Sequence, residues 1–249
     1  MRVGIVITTR NGIDFTKSCV NSVVCSFPYD LIIVDDGSTD GTPEWAESVG
    51  ARVFKDLDEP SLGGRWNVGI KEAFALGADV ALVCNNDIIF SPLTIDAVTR
   101  RMDEVLRNDE RIAVVTAHNL RGRMSTRKIR GLDELTWEPS ESDGPDFSCF
   151  LISKKAYEEV GPVSEEYVPC YFEDNDYHIK MALAGYRAIS TTGAPYYHYG
   201  SVTQNSIVGG VCTGPQFEHN RDLFETKYGF NTTSEEYKDI INAAKEGTT

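Results

Sequence analysis

Along the first half of the chain, short β-branched apolar runs alternate with stretches whose apolar residues recur at helical spacing. The segments VGIVITT (3–9), LIIVDD (31–36), ARVFK (51–55), DVALVCN (79–85) and IAVVTAH (112–118) read as strands. Their hydrophobicity is continuous rather than alternating, the pattern of strands covered on both faces in a parallel sheet. Helical patterns fall between them near 14–25, 42–49, 64–76 and 93–107, the last with Ser91 as N-cap and Pro92 at the first helical position. This alternation predicts an α/β domain with ligands gathered at the carboxyl ends of its strands.

The rhythm breaks after residue 118. Residues 119–146 are rich in charge, Gly and Pro, show no period, and read as a long loop or lid. FSCFLIS (147–153) reads as a strand and KKAYEEVG as a short helix ended by Gly161 and Pro162. A helix opens at EDNDYHIKMALAGYR, with Gly185 just beyond its C-cap, and AISTTGAPYYHYG returns as one or two strands. The Gly/Ser/Thr-rich stretch 199–214 is expected to be a mobile loop, and polar amphipathic helices over 215–245 close the chain. No repeat and no linker divides these parts, so a single domain over 1–249 is expected.

Composition narrows the function classes. The 249 residues are 41% hydrophobic and 25% charged, ordinary for one globular domain. No apolar run approaches the ~20 residues of a membrane helix. The opening MRVGIVITTR is too short and too β-branched for a signal peptide and reads as the first core strand. Six scattered cysteines without a C-x-x-C pair read as reduced core residues of a cytoplasmic protein, which leaves the sequon at Asn231 little weight. A net charge of −14 argues against nucleic acid as a partner. The exception is RGRMSTRKIRG (121–131), which is either a solvated loop or a contact for an anionic acceptor or a donor diphosphate.

Candidate chemistry sits where predicted strands end. From Asp36 the stretch DGSTDGTPEWAE has nearly the spacing of an EF-hand loop, with Glu47 in the twelfth place. An apolar strand rather than a helix precedes it, and Pro43 falls inside the loop, so the calcium reading fails. Asp35 and Asp36 instead end a strand, where carboxylates accept hydrogen bonds from a ribose or a base, although helix capping alone would also explain such acids. VCNNDIIF places Asn85, Asn86 and Asp87 after a buried strand, a set of oxygens suited to a hard divalent cation. SLGGRWNVGIKEAF reads as a Gly-Gly turn followed by Arg65 and Asn67 at a helix start, suited to an anion or a nucleobase. YFEDNDYH gathers Glu173, Asp174 and Asp176 at a helix N-terminus, where dipole-favoured capping accounts for at least one of them and mutual repulsion can poise another as a base.

Taken in order, VDDGSTDGT, GGRWNVGI, NND, FED and a downstream HYGS resemble the family 2 glycosyltransferases of GT-A fold, over most of the chain from VGIVITTRNG to YYHYGS. Within the family the chain looks most like small soluble enzymes that transfer rhamnose or similar sugars. The resemblance implies a GT-A, Rossmann-like, mostly parallel sheet flanked by helices, with an acceptor-side lobe and mobile loops. Residues 1–118 would bind the nucleotide sugar, 119–214 would serve acceptor and catalysis, and 215–249 would form C-terminal helices. Thr8, Arg10, Asp35 and Asp36 would line the nucleoside pocket, joined by Arg65, Asn67 and Asn86. Arg65 lies one place from the family's commoner Arg position, which Trp66 occupies. Asp87 would hold Mg2+ or Mn2+, with Asn85 in place of the first carboxylate of the D-x-D motif and His198 completing the site. Asp174 would be the base of an inverting transfer from a nucleoside-diphosphate sugar to a saccharide, lipid-linked or other hydroxyl acceptor, with Glu173 orienting the acceptor or capping the helix. A sugar nucleotidyltransferase would need a Gly-rich loop where the chain has TTRNGIDF, and a non-catalytic sugar- or calcium-binding module would have no use for Asp87 and Asp174 together.

Overall fold

The computed structural model describes residues 1–55, 58, 60–120, 139–141, 147–200 and 214–246. The strands are β1 (Val3–Thr9), β2 (Tyr29–Asp35), β3 (Arg52–Phe54), β4 (Val80–Asn85), β5 (Ile88–Phe90), β6 (Ile112–Asn119), β7 (Pro139–Glu141), β8 (Cys149–Ser153) and β9 (Arg187–His198). The helices are α1 (Ile13–Asn21), α2 (Thr42–Ser48), α3 (Leu62–Ala75), α4 (Thr94–Arg107), α5 (Lys154–Val160), α6 (Glu173–Leu183), α7 (Pro215–Tyr228) and α8 (Glu235–Glu246). Among these, no helix is long and apolar enough to cross a membrane.

The sheet runs in the order β3-β2-β1-β4-β8-β6-β9-β5, with β7 also on β9. Its first four strands are parallel, as the uninterrupted apolar runs predict. Every residue of β1 is buried, and alternate residues sort to opposite faces. Ile5, Ile7 and Ile33 pack with α1, α2 and α4 residues such as Cys19, Ala46 and Met102. Val6, Ile32 and Val34 pack on the other side with Trp66 and Ile70 of α3 and Tyr177 of α6. A third cluster, centred on Tyr167, Phe172, Ile179, Phe224 and Ile241, joins α6 to α7 and α8.

Several boundaries differ from the sequence reading. β8 inserts antiparallel between β4 and β6, so the far half of the sheet is mixed. Helix α4 begins at Thr94 rather than at 93, because Ser91, Pro92 and Leu93 form a turn in which the Ser91 carbonyl accepts from Thr94 N at 3.0 Å. Gly63 and Gly64 form no turn; they lie in the first turn of α3, which Ser61 caps by accepting from Gly64 N at 3.0 Å. Part of the expected 119–146 loop is strand β7, paired with β9. The basic segment 121–131 and most of the expected loop 199–214 lie outside the described residues.

The glycines of α3 serve close packing. A Cβ on Gly69 would overlap the Val6 side chain on β1, and one on Gly63 would overlap the Ser164 carbonyl oxygen. Alanine is worth about 1 kcal/mol more than glycine inside a helix, whereas overpacking costs roughly 1–3 kcal/mol. Gly69→Ala is therefore expected to destabilise the fold by about 1 kcal/mol or more despite the better helix former. A urea unfolding midpoint at or above that of the wild type would show that α3 can lift from β1.

Candidate active site

The site begins with register. Thr9 sits opposite Asp35 and Thr8 opposite Asn85, so the carboxyl ends of β2, β1 and β4 lie side by side. The turn after β2 then gives each of its acids a different task. Asp35, almost wholly buried, accepts from Ser38 N at 2.8 Å and from the Ser38 hydroxyl at 2.5 Å. Burial raises its pKa, against the lowering effect of those two bonds. Asp40 accepts from Ile13 N at 2.9 Å and from the Thr42 hydroxyl at 2.6 Å, tying the starts of α1 and α2 together. Burial pushes the Asp40 carboxyl up, but the Thr42 and Ile13 donors outweigh it and hold the pKa below the ordinary value. Glu47 pairs at the surface with Lys55. These separate engagements account for the residues that spell a calcium loop.

Asp36 faces two guanidinium groups. Arg65 Nη2 lies 2.7 Å from Asp36 Oδ1, and Arg10 Nη1 lies 3.1 Å from Asp36 Oδ2. The Arg65 side chain is 11% exposed and that of Arg10 is 49% exposed, so one is a fixed wall and the other a mouth residue. Trp66, where the family more often has Arg, points into the core against Phe147 and Phe150. Arg65, one place earlier, keeps its guanidinium on Asp36 at the strand ends.

Two asparagines of the expected nucleotide set do other work. Asn67 is fully buried, and its Nδ2 donates to Val163 O at 2.8 Å and to Glu165 Oε1 at 2.7 Å. Its Oδ1 accepts from Val163 N at 2.9 Å and from the Tyr157 hydroxyl at 3.1 Å. Such an amide has no capacity left for a ligand; it fastens α3 to the 163–165 segment. Asn86 Nδ2 donates to Thr9 Oγ1 and Thr16 Oγ1, both at 3.0 Å, locking the end of β1 to α1. Thr8 is buried on β1.

Asp87 and His198 meet between β5 and β9, with Nε2 of the imidazole 3.0 Å from Oδ1 of the carboxylate. Antiparallel pairing of Ile88 with His198 fixes that meeting. The two side chains are only 6% and 13% exposed. A carboxylate oxygen and an imidazole nitrogen converging on one point are ligand atoms that a divalent transition cation accepts, with the other positions left for water or phosphate oxygens. Among the described residues no group of three His, Cys, Asp or Glu gathers, so a third ligand from these residues would be an amide or carbonyl oxygen.

The acids of α6 divide in the same way. Asp176 is fully buried; it accepts from the hydroxyls of Tyr167 at 3.0 Å and Tyr228 at 2.9 Å and pairs with Lys227 Nζ at 2.5 Å. It is structural. Glu173 is 5% exposed, and its Oε2 has no hydrogen-bond partner among the described residues. Burial, reinforced by the neighbouring Asp174 charge, raises its pKa well above the ordinary value. Asp174 is half-buried, with Oδ1 accepting from Asn175 N at 2.8 Å. Before them, Tyr171 and Phe172 hold φ of 78° and 76°, left-handed conformations that each cost a non-glycine residue about 1–3 kcal/mol. The surroundings enforce them. Leu62 N donates to Pro169 O at 2.9 Å, and the fully buried Asn220 of α7 donates from Nδ2 to Cys170 O at 2.9 Å and Val168 O at 3.3 Å.

Tyr196 is a core residue whose hydroxyl lies 2.5 Å from Ser148 Oγ. His178 is buried against Tyr237, and His219 is exposed on α7. Asn220 and Lys227 were missed in the sequence, where each reads as one more polar residue of an amphipathic helix. The only sequence signal was the run of Asn, Arg and Lys on a segment already expected to be helical.

The sequence pattern of the family described as Glycosyl transferase family 2 matches residues 4–161. No curated protein matches the chain in sequence. Among solved structures, residues 1–349 of S. aureus TarS in complex with UDP-GlcNAc superpose with a TM-score of 0.65 at 17% identity, covering 99% of this chain and 72% of that one. GalNAc-T7 with UDP, GalNAc and Mn2+ superposes with a TM-score of 0.64 at 14% identity, covering 98% of this chain and 54% of that one. The longer S. aureus TarS chain matches with a TM-score of 0.64 at 18% identity, and here the overlap is 98% of this chain but 42% of TarS. At these identities the likeness establishes the fold, which is GT-A.

The raised pKa of Glu173 has a directional consequence. Its proton is held in the folded state to higher pH than in the unfolded chain, where release occurs near about 4.3. The stabilisation is fully present below that value and is lost as pH rises through the folded pKa. Glu173→Gln, which cannot ionise, is expected to gain stability relative to wild type as pH rises from 4 to 8. Urea midpoints of both proteins across that range test this; parallel curves would mean that the carboxyl is solvated.

Proposed function

The chain belongs to glycosyl transferase family 2, and on that premise we propose that it transfers a sugar from a nucleoside-diphosphate sugar to an acceptor hydroxyl with inversion at the anomeric carbon. The carrying observation is that Asp36, with its two arginines, and Asp87, with His198, follow the carboxyl ends of β2 and β4, the two strands that flank β1, while Glu173, next to Asp174, lies against Gly63 in the same turn of α3 that carries Arg65. The match to the family ends at residue 161, so the roles of Glu173, Asp174 and His198 rest on this geometry and on the sequence resemblance. Support for the donor class comes from the UDP-sugar and UDP complexes of the structural neighbours.

In this reading Asp36 receives the nucleoside, and Arg10 and Arg65 face the donor's phosphates when Asp36 turns to the ligand. Asp35 and Ser38 keep the turn rigid. Mg2+ or Mn2+ would be held by Asp87 and His198 with Asn85 alongside, and a cation there supplies positive charge against the departing diphosphate. Asp174, more exposed than Glu173, takes the proton of the acceptor hydroxyl. Glu173, kept neutral by burial, leaves the negative charge at Asp174 and anchors the start of α6. The sugar is a hexose or 6-deoxyhexose such as rhamnose, the acceptor a saccharide or lipid-linked hydroxyl, and the setting cytoplasmic.

A thermal-shift panel of nucleotide sugars with and without Mn2+ tests the donor assignment; a donor at ~100 times its Kd stabilises by roughly 2.7 kcal/mol. Asp87→Ala is expected to abolish the metal-dependent part of that shift. Asp174→Asn is expected to keep the donor shift and lose roughly 10^2–10^4-fold in transfer or donor hydrolysis. Undiminished turnover in Asp174→Asn would falsify the base assignment, and a panel in which no nucleotide sugar stabilises the protein would remove the donor reading itself.

A further inference from the structure

Three stretches of chain meet at Asn11, which follows Arg10 just beyond the end of β1. Asn11 N donates to Ser38 Oγ at 2.7 Å, and its Oδ1 accepts from Thr39 N at 2.9 Å, both in the turn after β2. Its carbonyl oxygen accepts from Asn86 Nδ2 at 3.2 Å, in the turn after β4. The backbone here is left-handed, with φ of 56° at Asn11 and 73° at Gly12. Asparagine is one of the few non-glycine residues that adopt this conformation readily. Asn11 therefore bends the chain into α1 and still carries a side chain that bonds across to the neighbouring turn.

These bonds bracket the pair of Arg10 and Asp36. On one side Asp36 N donates to Thr9 O at 2.8 Å, and on the other Asn11 holds Ser38 and Thr39. Between the two brackets Arg10 Nη1 reaches Asp36 Oδ2 at 3.1 Å. The Arg10 side chain is 49% exposed and pairs with Asp36 alone among the described residues. An ion pair so exposed holds a long side chain weakly, because fixing the rotamers of an arginine costs conformational entropy. The direction of the guanidinium is thus set by the backbone on either side of it, and the outer fixed point of that backbone is Asn11. Arg65 has no such need, since its side chain is 11% exposed and it belongs to α3.

We propose that Asn11 is a positioning residue of the donor site: its Oδ1 and its left-handed backbone hold Arg10 where the guanidinium serves a nucleoside diphosphate. The proposal rests on the donor reading and deepens it, because it makes the contribution of Arg10 depend on the residue beside it. Ser38 extends the same tie, accepting from Asn11 N and donating from Oγ to Asp35 at 2.5 Å. A role confined to stability would weaken nucleotide binding whether or not Arg10 is present. A positioning role shows instead as an Arg10 contribution that disappears with the Asn11 side chain.

The test measures the cost of Arg10→Ala in three backgrounds of the full chain by titration calorimetry, with whichever of UDP, dTDP, CDP and GDP binds wild type most tightly. In wild type, and in Asn11→Asp, which keeps the left-handed tolerance and an Oδ1 acceptor, Arg10→Ala is expected to weaken binding roughly fivefold or more. In Asn11→Gly, which keeps the bend and drops the side-chain bond, the same change is expected to cost less than about twofold. Should Asn11→Gly not fold, Ser38→Ala, which removes the acceptor of Asn11 N, is expected to show the same reduced cost. An equal cost of Arg10→Ala in wild type and in Asn11→Gly overturns the positioning role, as does a cost in Asn11→Asp as small as that in Asn11→Gly. Either result, obtained while wild type binds a nucleotide, leaves the donor reading standing. Failure of all four nucleotides to bind wild type would strike the donor reading and this inference with it.

Discussion

The candidate site depends on the first two turns of α3. Four successive features there reach different parts of the molecule. Leu62 N holds the Pro169 carbonyl, Gly63 leaves room for the Ser164 carbonyl, Arg65 pairs with Asp36, and Asn67 binds both sides of Val163 and the Glu165 carboxylate. Gly69, a turn further on, lets the helix lie against Val6 of β1. One helix end thereby sets the spacing between the acidic turn after β2 and the loop that presents Glu173 and Asp174. A side chain at Gly63 would push the two apart, whereas a change at an exposed face of α3 would leave the site unaffected.

The protein carries 38 acidic residues against 24 basic ones, so the site has to sort its carboxylates by environment. Those with several donors are fixed in place: Asp35 by Ser38, Asp40 by Ile13 and Thr42, Asp176 by two tyrosines and Lys227. Asp36 is countered by guanidinium groups, which can also meet phosphates. Glu173 has burial without a partner for Oε2 among the described residues, a situation that raises its pKa. Two adjacent carboxyl groups of α6 thus sit in different surroundings, Glu173 buried and Asp174 half-buried.

The parallel half of the fold was legible because burial on both faces writes itself into unbroken apolar runs, as at Val3–Thr9 and Val80–Asn85. One helix end was legible too, at Gly185 after α6. What escaped was long-range. FSCFLIS reads as a strand, but nothing local says that β8 runs antiparallel between β4 and β6. The three-residue strands β5 and β7 are too short to show a period. Asn67 looked like a ligand contact because a buried amide and a binding amide are spelled alike; its partners lie 96 and 98 positions away. The meeting of Asp87 with His198 likewise spans 111 positions and needs the β5–β9 pairing to exist.

The family pattern covers residues 4–161 and stops short of the loop that presents Glu173 and Asp174, where the kind of scaffold changes. Up to that point the parallel strands are held by backbone pairing, with polar groups at their ends. Past residue 161 the loop before α6 is held by side chains: Asn67 from one side, Asn220 from the other, and Lys227 on Asp176 behind. Tyr171 and Phe172 stay left-handed only while those contacts persist. Backbone pairing tolerates many sequences, whereas a side-chain scaffold can be rebuilt around the same Glu-Asp pair with a different set of helices. On this chain α7 supplies two of those side chains, Asn220 and Lys227, so the loop that presents Glu173 and Asp174 keeps its shape only with α7 docked.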